Sequence, residues 1–131
     1  MALRRFRARG DGTASLLSGD QSTLTVSLHG ERNFPFRKQN SGIDVAFADG
    51  TGDEEYLSVL AQVLNDVRTF RPMLVFYQSG VDSLATDRLG RLDLTVSGIR
   101  MRDELVFRMV RELGVPVVIT LGGGYSEPIE H

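Results

Sequence analysis

An α/β fold built on a mainly parallel sheet follows from three observations. Met73-Leu74-Val75-Phe76-Tyr77 and Val115-Pro116-Val117-Val118-Ile119-Thr120-Leu121 are short, nearly continuous apolar runs, the pattern of strands covered on both faces. A helical segment precedes the first run and another separates the two, which makes a strand–helix–strand unit. Each run is followed by a glycine-bounded segment, Gly80 to Gly90 and Gly122-Gly123-Gly124-Tyr125. Open α/β sheets bind their ligands outside the carboxyl ends of the strands, so these two segments are where chemistry is expected.

The elements follow in order. Residues 1–9 carry four arginines and no acid, and without an apolar stretch they lack the form of a secretory signal. They are expected to be a disordered basic leader. Ala14-Ser15-Leu16-Leu17 is a short helical candidate closed by Gly19-Asp20. Thr23-Leu24-Thr25-Val26-Ser27-Leu28 alternates β-branched and apolar residues and reads as a strand with His29 at its end. Residues 30–50 are rich in Arg, Asn, Pro, Ser and Gly, the composition of a long loop, with a short strand expected at Ile43 to Phe47.

Thr51 and Glu54 have the spacing of a capping box, which predicts a helix starting there. Tyr56, Leu57, Leu60, Val63, Leu64 and Val67 give it one apolar stripe, and Arg71-Pro72 ends it. Thr95 is placed to cap a second helix whose Ile99, Leu105, Val106, Met109, Val110 and Leu113 share a face. Gly114 supplies a left-handed stop and Pro116 follows. No repeat, low-complexity tract or second domain is visible.

Composition narrows the function. A chain of 131 residues with 41% hydrophobic content can build a core without staples. A net charge of −2 lacks the basic footprint of nucleic-acid binding. With no cysteine there is no disulfide scaffold, thiolate metal site or cysteine nucleophile, and a reducing cytoplasm is the expected location. No apolar run approaches the roughly 18 residues of a membrane span.

Among candidate site residues, Asp82 is placed either to bind a divalent metal or to cap a turn. Asp87 and Arg88 suit loop stabilisation better than catalysis. Tyr125, after three glycines, can aim a phenol at a developing oxyanion. The triple glycine lacks the spacing and the following Lys-Ser or Lys-Thr of a nucleotide cradle. His29 reads as a structural, hydrogen-bonded histidine before a ligand or acid–base group, and His131 is terminal. Arg32, Arg37 and Lys38 around Phe34-Pro35-Phe36 form a basic, aromatic loop. No complete catalytic constellation is present.

Taken together, Gly10-Asp11-Gly12-Thr13, Ser27-Leu28-His29, Asn33-Phe34-Pro35, Asp49-Gly50-Thr51-Gly52-Asp53, Gly80-Val81-Asp82-Ser83-Leu84, Asp87-Arg88-Leu89-Gly90 and Gly122-Gly123-Gly124-Tyr125 resemble the C-terminal part of the zinc-dependent histone deacetylase family, which includes bacterial deacetylases and acetoin-utilisation proteins. The resemblance covers Gly10 to His131. It implies a partial arginase-deacetylase-like domain over 10–131, three-layer α/β/α with a mainly parallel sheet, and hydrolysis of an acetyl amide such as acetyl-lysine or acetylpolyamine.

By that resemblance Asp82 is a zinc ligand and Tyr125 the phenol that polarises the acetyl carbonyl. Phe34 is a wall of the acetyl tunnel, Gly123 contributes to substrate binding, and Ser27 with Leu28 belong to a structural potassium site. The family's Asp-x-His segment, which supplies two further zinc ligands, is matched here by Phe6 and Ala8. Its paired catalytic histidines belong to the upstream half.

The resemblance therefore implies a truncated member, inactive alone, with zinc not retained. The alternatives are a non-catalytic binding module and an enzyme half completed by a partner chain. Nucleic-acid and membrane partners are not expected, and self-association through an exposed sheet edge is. The switch at Gly10 from an Arg-rich leader to family-like sequence suggests a disrupted reading frame.

Overall fold

A computed structural model describes residues 5–8, 20–32 and 42–127, the first of these as backbone. Among the described residues five strands form a single parallel sheet: β1 (Arg5–Ala8), β2 (Thr23–Gly30), β3 (Ile43–Phe47), β4 (Leu74–Gln78) and β5 (Val117–Thr120). Their order across the sheet is β3-β2-β1-β4-β5. Two helices, α1 (Asp53–Phe70) and α2 (Val96–Leu113), supply the crossovers into β4 and β5.

The order runs outward from β1 in both directions, so β1 and β4 flank a switch point, the place where loops diverge and leave a crevice. Register fixes the alignment there. Ala8 stands opposite Val26 on one side and Tyr77 on the other, so these three positions form one row across β2, β1 and β4.

Residues 5–8 correct the reading of 1–9 as a disordered leader, because they form the central strand. Both of its neighbours pair with it in parallel, Arg5 with Thr23 and with Leu74. Two ladders of backbone hydrogen bonds hold a segment whose arginine content hid its Arg-Phe-Arg-Ala alternation.

The core lies between the sheet and the two helices. Val26, Val75 and Tyr77 meet Tyr56, Leu60, Val63, Leu64 and Val67 of α1 and Val106, Met109 and Val110 of α2, all buried. These are the stripes that the periodicity marks. Phe47 and Tyr56 pack with ring centroids 5.1 Å apart, which joins β3 to the first turn of α1.

Helix ends follow the expected chemistry at three of four termini. Thr95 Oγ1 accepts from the Gly98 N–H at 2.9 Å, Gly114 closes α2 at φ 63°, and Arg71 closes α1 at φ 53° before Pro72. The fourth corrects the capping box. The N-cap of α1 is Gly52, with no side-chain cap, and Thr51 is buried just outside, its carbonyl accepting from the Asp93 N–H at 2.9 Å. Asp53 turns away to hold Thr95 instead, taking its N–H at 2.9 Å and its hydroxyl at 2.6 Å. One carboxylate thereby ties together the starts of both helices, and a Cβ on Gly98 would collide with it at 1.9 Å.

The two apolar runs also differ from the reading of strands covered on both faces. In β4, Val75 and Tyr77 are buried while Leu74, Phe76 and Gln78 are half-buried. β5 is an edge strand, with Val118, Ile119 and Thr120 exposed. The helical candidate at 14–17 lies outside the described residues.

Candidate functional site

Three strand-end loops meet at the carboxyl edge of the sheet. The loop after β3 is held to the loop after β4 by Gly50 N–H to the Arg91 carbonyl at 2.8 Å and by the Asp93–Thr51 bond. The loop after β4 is in turn held to the loop after β5. A Cβ on Gly80 would come within 2.1 Å of the Gly122 carbonyl oxygen, so these two backbones touch in a way that only glycine permits.

Asp82 and Gly123 are brought together by this contact. A Cβ on Gly123 would stand 2.8 Å from the Asp82 carboxyl carbon, and Gly123 itself has φ +77°, so no other residue fits there without strain. Gly90 likewise leaves no room beside the Asp82 carbonyl oxygen, at 1.8 Å. Asp82 is half-buried in a loop locked by glycine on both sides.

Asp87 organises the rest. It is buried, and Oδ1 accepts from the N–H groups of Leu89 at 2.9 Å and Gly90 at 2.6 Å, which closes the turn. Its Oδ2 accepts from the Tyr125 N–H at 2.6 Å. Thr86 donates to Ser126 Oγ at 3.2 Å, and Arg88 pairs with Glu127 at 2.7 Å on the exposed rim. Asp87 and Arg88 are loop-stabilising residues, as expected, each through its own partner. Tyr125 is thus held at its backbone while the residue is 56% exposed.

A second brace comes from the helix side. Arg102 is buried on α2 and donates to the Gly80 carbonyl at 2.7 Å and to Asp103 Oδ1 through Nε at 2.9 Å and Nη2 at 2.8 Å. Its guanidinium carbon lies 5.9 Å from the Tyr77 ring centroid. The Tyr77 hydroxyl donates to the same Asp103 Oδ1 at 2.5 Å. Burial pushes the Tyr77 phenol well above its usual range, Arg102 opposes this, and the hydrogen bond to Asp103 adds to it. Tyr77 is therefore a fixed donor.

Sequence reasoning passed over Arg102, Asp103 and Tyr77. The signal was present: Arg102 sits three residues after Ile99 and four before Val106, a cation on the apolar face of a helix.

His29 is buried, its Nδ1 3.0 Å from the Gly30 carbonyl oxygen and its Nε2 3.2 Å from Asp44 Oδ1. These partners match the reading of a structural histidine. Ser27 and Leu28 are half-buried on β2, opposite Asp44 and Val45 of β3. Phe34 and Gly10 to Thr13 lie outside the described residues. A cavity of about 60 Å³ runs between β2, β4 and the helices, apolar at Val26, Leu60 and Leu64 and polar at His29, Asp82 and Arg102.

What this can do chemically is bounded by its donors. Among the described residues no three His, Cys, Asp or Glu side chains are grouped to hold a metal ion. Phe6 and Ala8, on the strand beside β4, have no donor atom to add to Asp82. A catalytic zinc takes three protein ligands and keeps one position open, so these residues do not fit it. What remains is the Asp82 carboxylate in the loop after β4 and the exposed Tyr125 in the loop after β5, two loops joined through Asp87. No helix among the described residues is long and apolar enough to cross a membrane.

Comparison with known proteins agrees with this geometry. The sequence pattern of the histone deacetylase domain matches residues 9–130. An uncharacterized protein of Picosynechococcus sp. is 42% identical over 122 residues, covering 92% of this chain and 41% of that protein. Histone deacetylase 2 of Arabidopsis thaliana is 36% identical, covering 91% of this chain and 32% of that protein. A histone deacetylase homologue from Aquifex aeolicus superposes with a TM-score of 0.76 at 25% identity, over 95% of this chain and 37% of that one. The HD domain of HDA15 gives 0.75 at 26% identity, over 95% of this chain and 40% of that one. Those relatives have the arginase-deacetylase fold. The chain spans less than half the length of the relatives it matches.

Proposed function

Because this chain belongs to the histone deacetylase family, we propose that it is a partial deacetylase domain, derived from an enzyme that hydrolyses an acetylated amine such as acetyl-lysine or an acetylpolyamine, and that alone it neither retains zinc nor turns over. The observation that carries this reading is the donor set. Asp82 stands at the end of β4, and β1 beside it offers phenylalanine and alanine where the family pattern has Asp-x-His. A single carboxylate is too few ligands for a hydrolytic zinc.

The acyl-facing side of the site is better kept. Tyr125 is exposed on a backbone held by Asp87, and its phenol is the group we assign as donor to the acetyl carbonyl oxygen. Gly123 leaves space beside Asp82 that any side chain would fill.

The test is equilibrium dialysis of the purified chain against zinc, followed by an acetyl-lysine peptide assay. The expected result is no stoichiometric zinc and no hydrolysis above buffer. One zinc retained through dialysis, with turnover by the chain alone, overturns the proposal. Zinc-independent binding of the acetylated peptide would favour a binding module in place of an enzyme fragment.

A further inference from the structure

Ala8 stands in one row with Val26 of β2 and Tyr77 of β4, and both of these buried neighbours line the cavity of about 60 Å³ that reaches Asp82. Partners in a row of a parallel sheet share a face, so the β1 position between two lining residues is an alanine. The family resemblance puts histidine there. Alanine is smaller than histidine by one imidazole ring, and a core short of such a group keeps much of the space because its walls relax only partly.

The wall suits a small ring with one polar edge. Leu60, Leu64 and Val106 line it from the helices, while Gln78, Asp82 and Ser83 line it from the end of β4 and its loop. An anion is a poor occupant, because the cations of the wall are turned to partners of their own. Arg102 serves the Gly80 carbonyl and Asp103, and the two ring nitrogens of His29 face the Gly30 carbonyl and Asp44. Asp82 brings a carboxylate with about four lone-pair sites, and Gln78 brings an amide donor. Water fills such a space badly, since an ordered molecule needs about two to four polar partners.

We propose that this cavity binds a small azole, imidazole being the parent ring, with its N–H donating to Asp82 and its carbon edge against Leu60, Leu64 and Val106. The inference rests on the reading of this chain as part of a deacetylase domain, which supplies the histidine that Ala8 replaces.

The experiment titrates imidazole, thiophene and acetate into the full chain in the presence of a chelator, and follows the methyl resonances of Val26, Leu64 and Val106 and the amide of Asp82. Imidazole is expected to move them with a dissociation constant on the order of 1 mM, the range open to a ligand of so few atoms. Thiophene, a ring of similar shape without an N–H, and acetate should each bind at least about tenfold more weakly. Ala8→Leu fills the space and should abolish imidazole binding. Asp82→Asn should weaken it at least about tenfold, since the bond to a charged acceptor is the stronger one.

No shift of the lining resonances, or imidazole binding indifferent to a folded Ala8→Leu variant, overturns the proposal. So does thiophene or acetate bound as tightly as imidazole, because the site then selects size or charge and not the ring N–H. The ligand series on the unmodified chain needs no substitution and decides the matter even where Ala8→Leu fails to fold. None of these readouts involves zinc or hydrolysis. Stoichiometric zinc with turnover by the chain alone would end the reading of an inactive fragment and leave the imidazole titration to be judged by itself.

Discussion

The Tyr125 N–H donates to Asp87 Oδ2 at 2.6 Å, so the residue expected to meet an acyl oxygen is positioned by a carboxylate from the loop of a different strand. The other oxygen of Asp87 closes its own turn through Leu89 and Gly90. One side chain therefore ties the two loops together.

Asp87→Ala removes the acceptor for these three amides at a buried site. Unfolding in urea should show a loss of about 2–3 kcal/mol, since each stranded buried donor costs about 1–3 kcal/mol and water relieves part of it. Exchange at the Tyr125 amide should quicken by more than the global loss accounts for. Unchanged Tyr125 exchange would mean that the loop is held by other contacts.

Arg102 braces the Asp82 loop from the helix side through the Gly80 carbonyl. Arg102→Met keeps the apolar stem and deletes the donors, leaving Asp103 and the carbonyl short of partners. A loss of about 1–2 kcal/mol is expected, because the Gly80 carbonyl and the half-buried Asp103 carboxylate, which keeps its hydrogen bond from Tyr77, each lose a charge-assisted donor. Arg102→Lys should recover only part of it, one point charge replacing a fork that reaches Asp103 and Gly80 together.

Tyr77 sets a pH dependence. Its ordinary value is 10.0 and burial raises it in the folded chain, so its contribution is fully present below pH 10. Above that the unfolded chain releases the proton while the folded chain holds it, and stability falls as pH rises toward the folded value. Urea midpoints measured from about pH 9 to about pH 11 should decline, and Tyr77→Phe should decline less steeply. Equal slopes would show that Tyr77 is not the group responsible.

Phe6→Asp combined with Ala8→His rebuilds the donor set that the family resemblance places on β1. The double variant should be less stable without metal and should gain about 2.7 kcal/mol at zinc a hundredfold above its dissociation constant, read as a rise in thermal midpoint. Adding Asp82→Ala should abolish the gain. A gain that survives Asp82→Ala would remove Asp82 from the ligand set.

Legibility divided along the range of the interactions. The helix stripes, the Thr95 cap and the Gly114 stop were readable because they depend on neighbours within one or two turns. The Asp82 and Tyr125 loops were placed correctly at strand ends because apolar runs and glycines mark them. The Thr51 capping box failed because the N-cap falls on Gly52, while Thr51 is buried and tied through its carbonyl to Asp93, 42 residues away. Arg102 was missed as a brace because the carbonyl it serves is 22 residues distant.

By itself the sequence determined the α/β class, both long helices, the strand-end position of the candidate site and the absence of donor atoms at Phe6 and Ala8, since periodicity, turn chemistry and side-chain composition are local properties. Only the tertiary structure decided that Arg5–Ala8 is the central strand, that Asp87 holds Tyr125, and that β5 is left bare at an edge. Each of these depends on which distant segment supplies the second half of a hydrogen bond or the cover for an apolar face. That information lies in the packing of the sheet and not in any stretch of the chain.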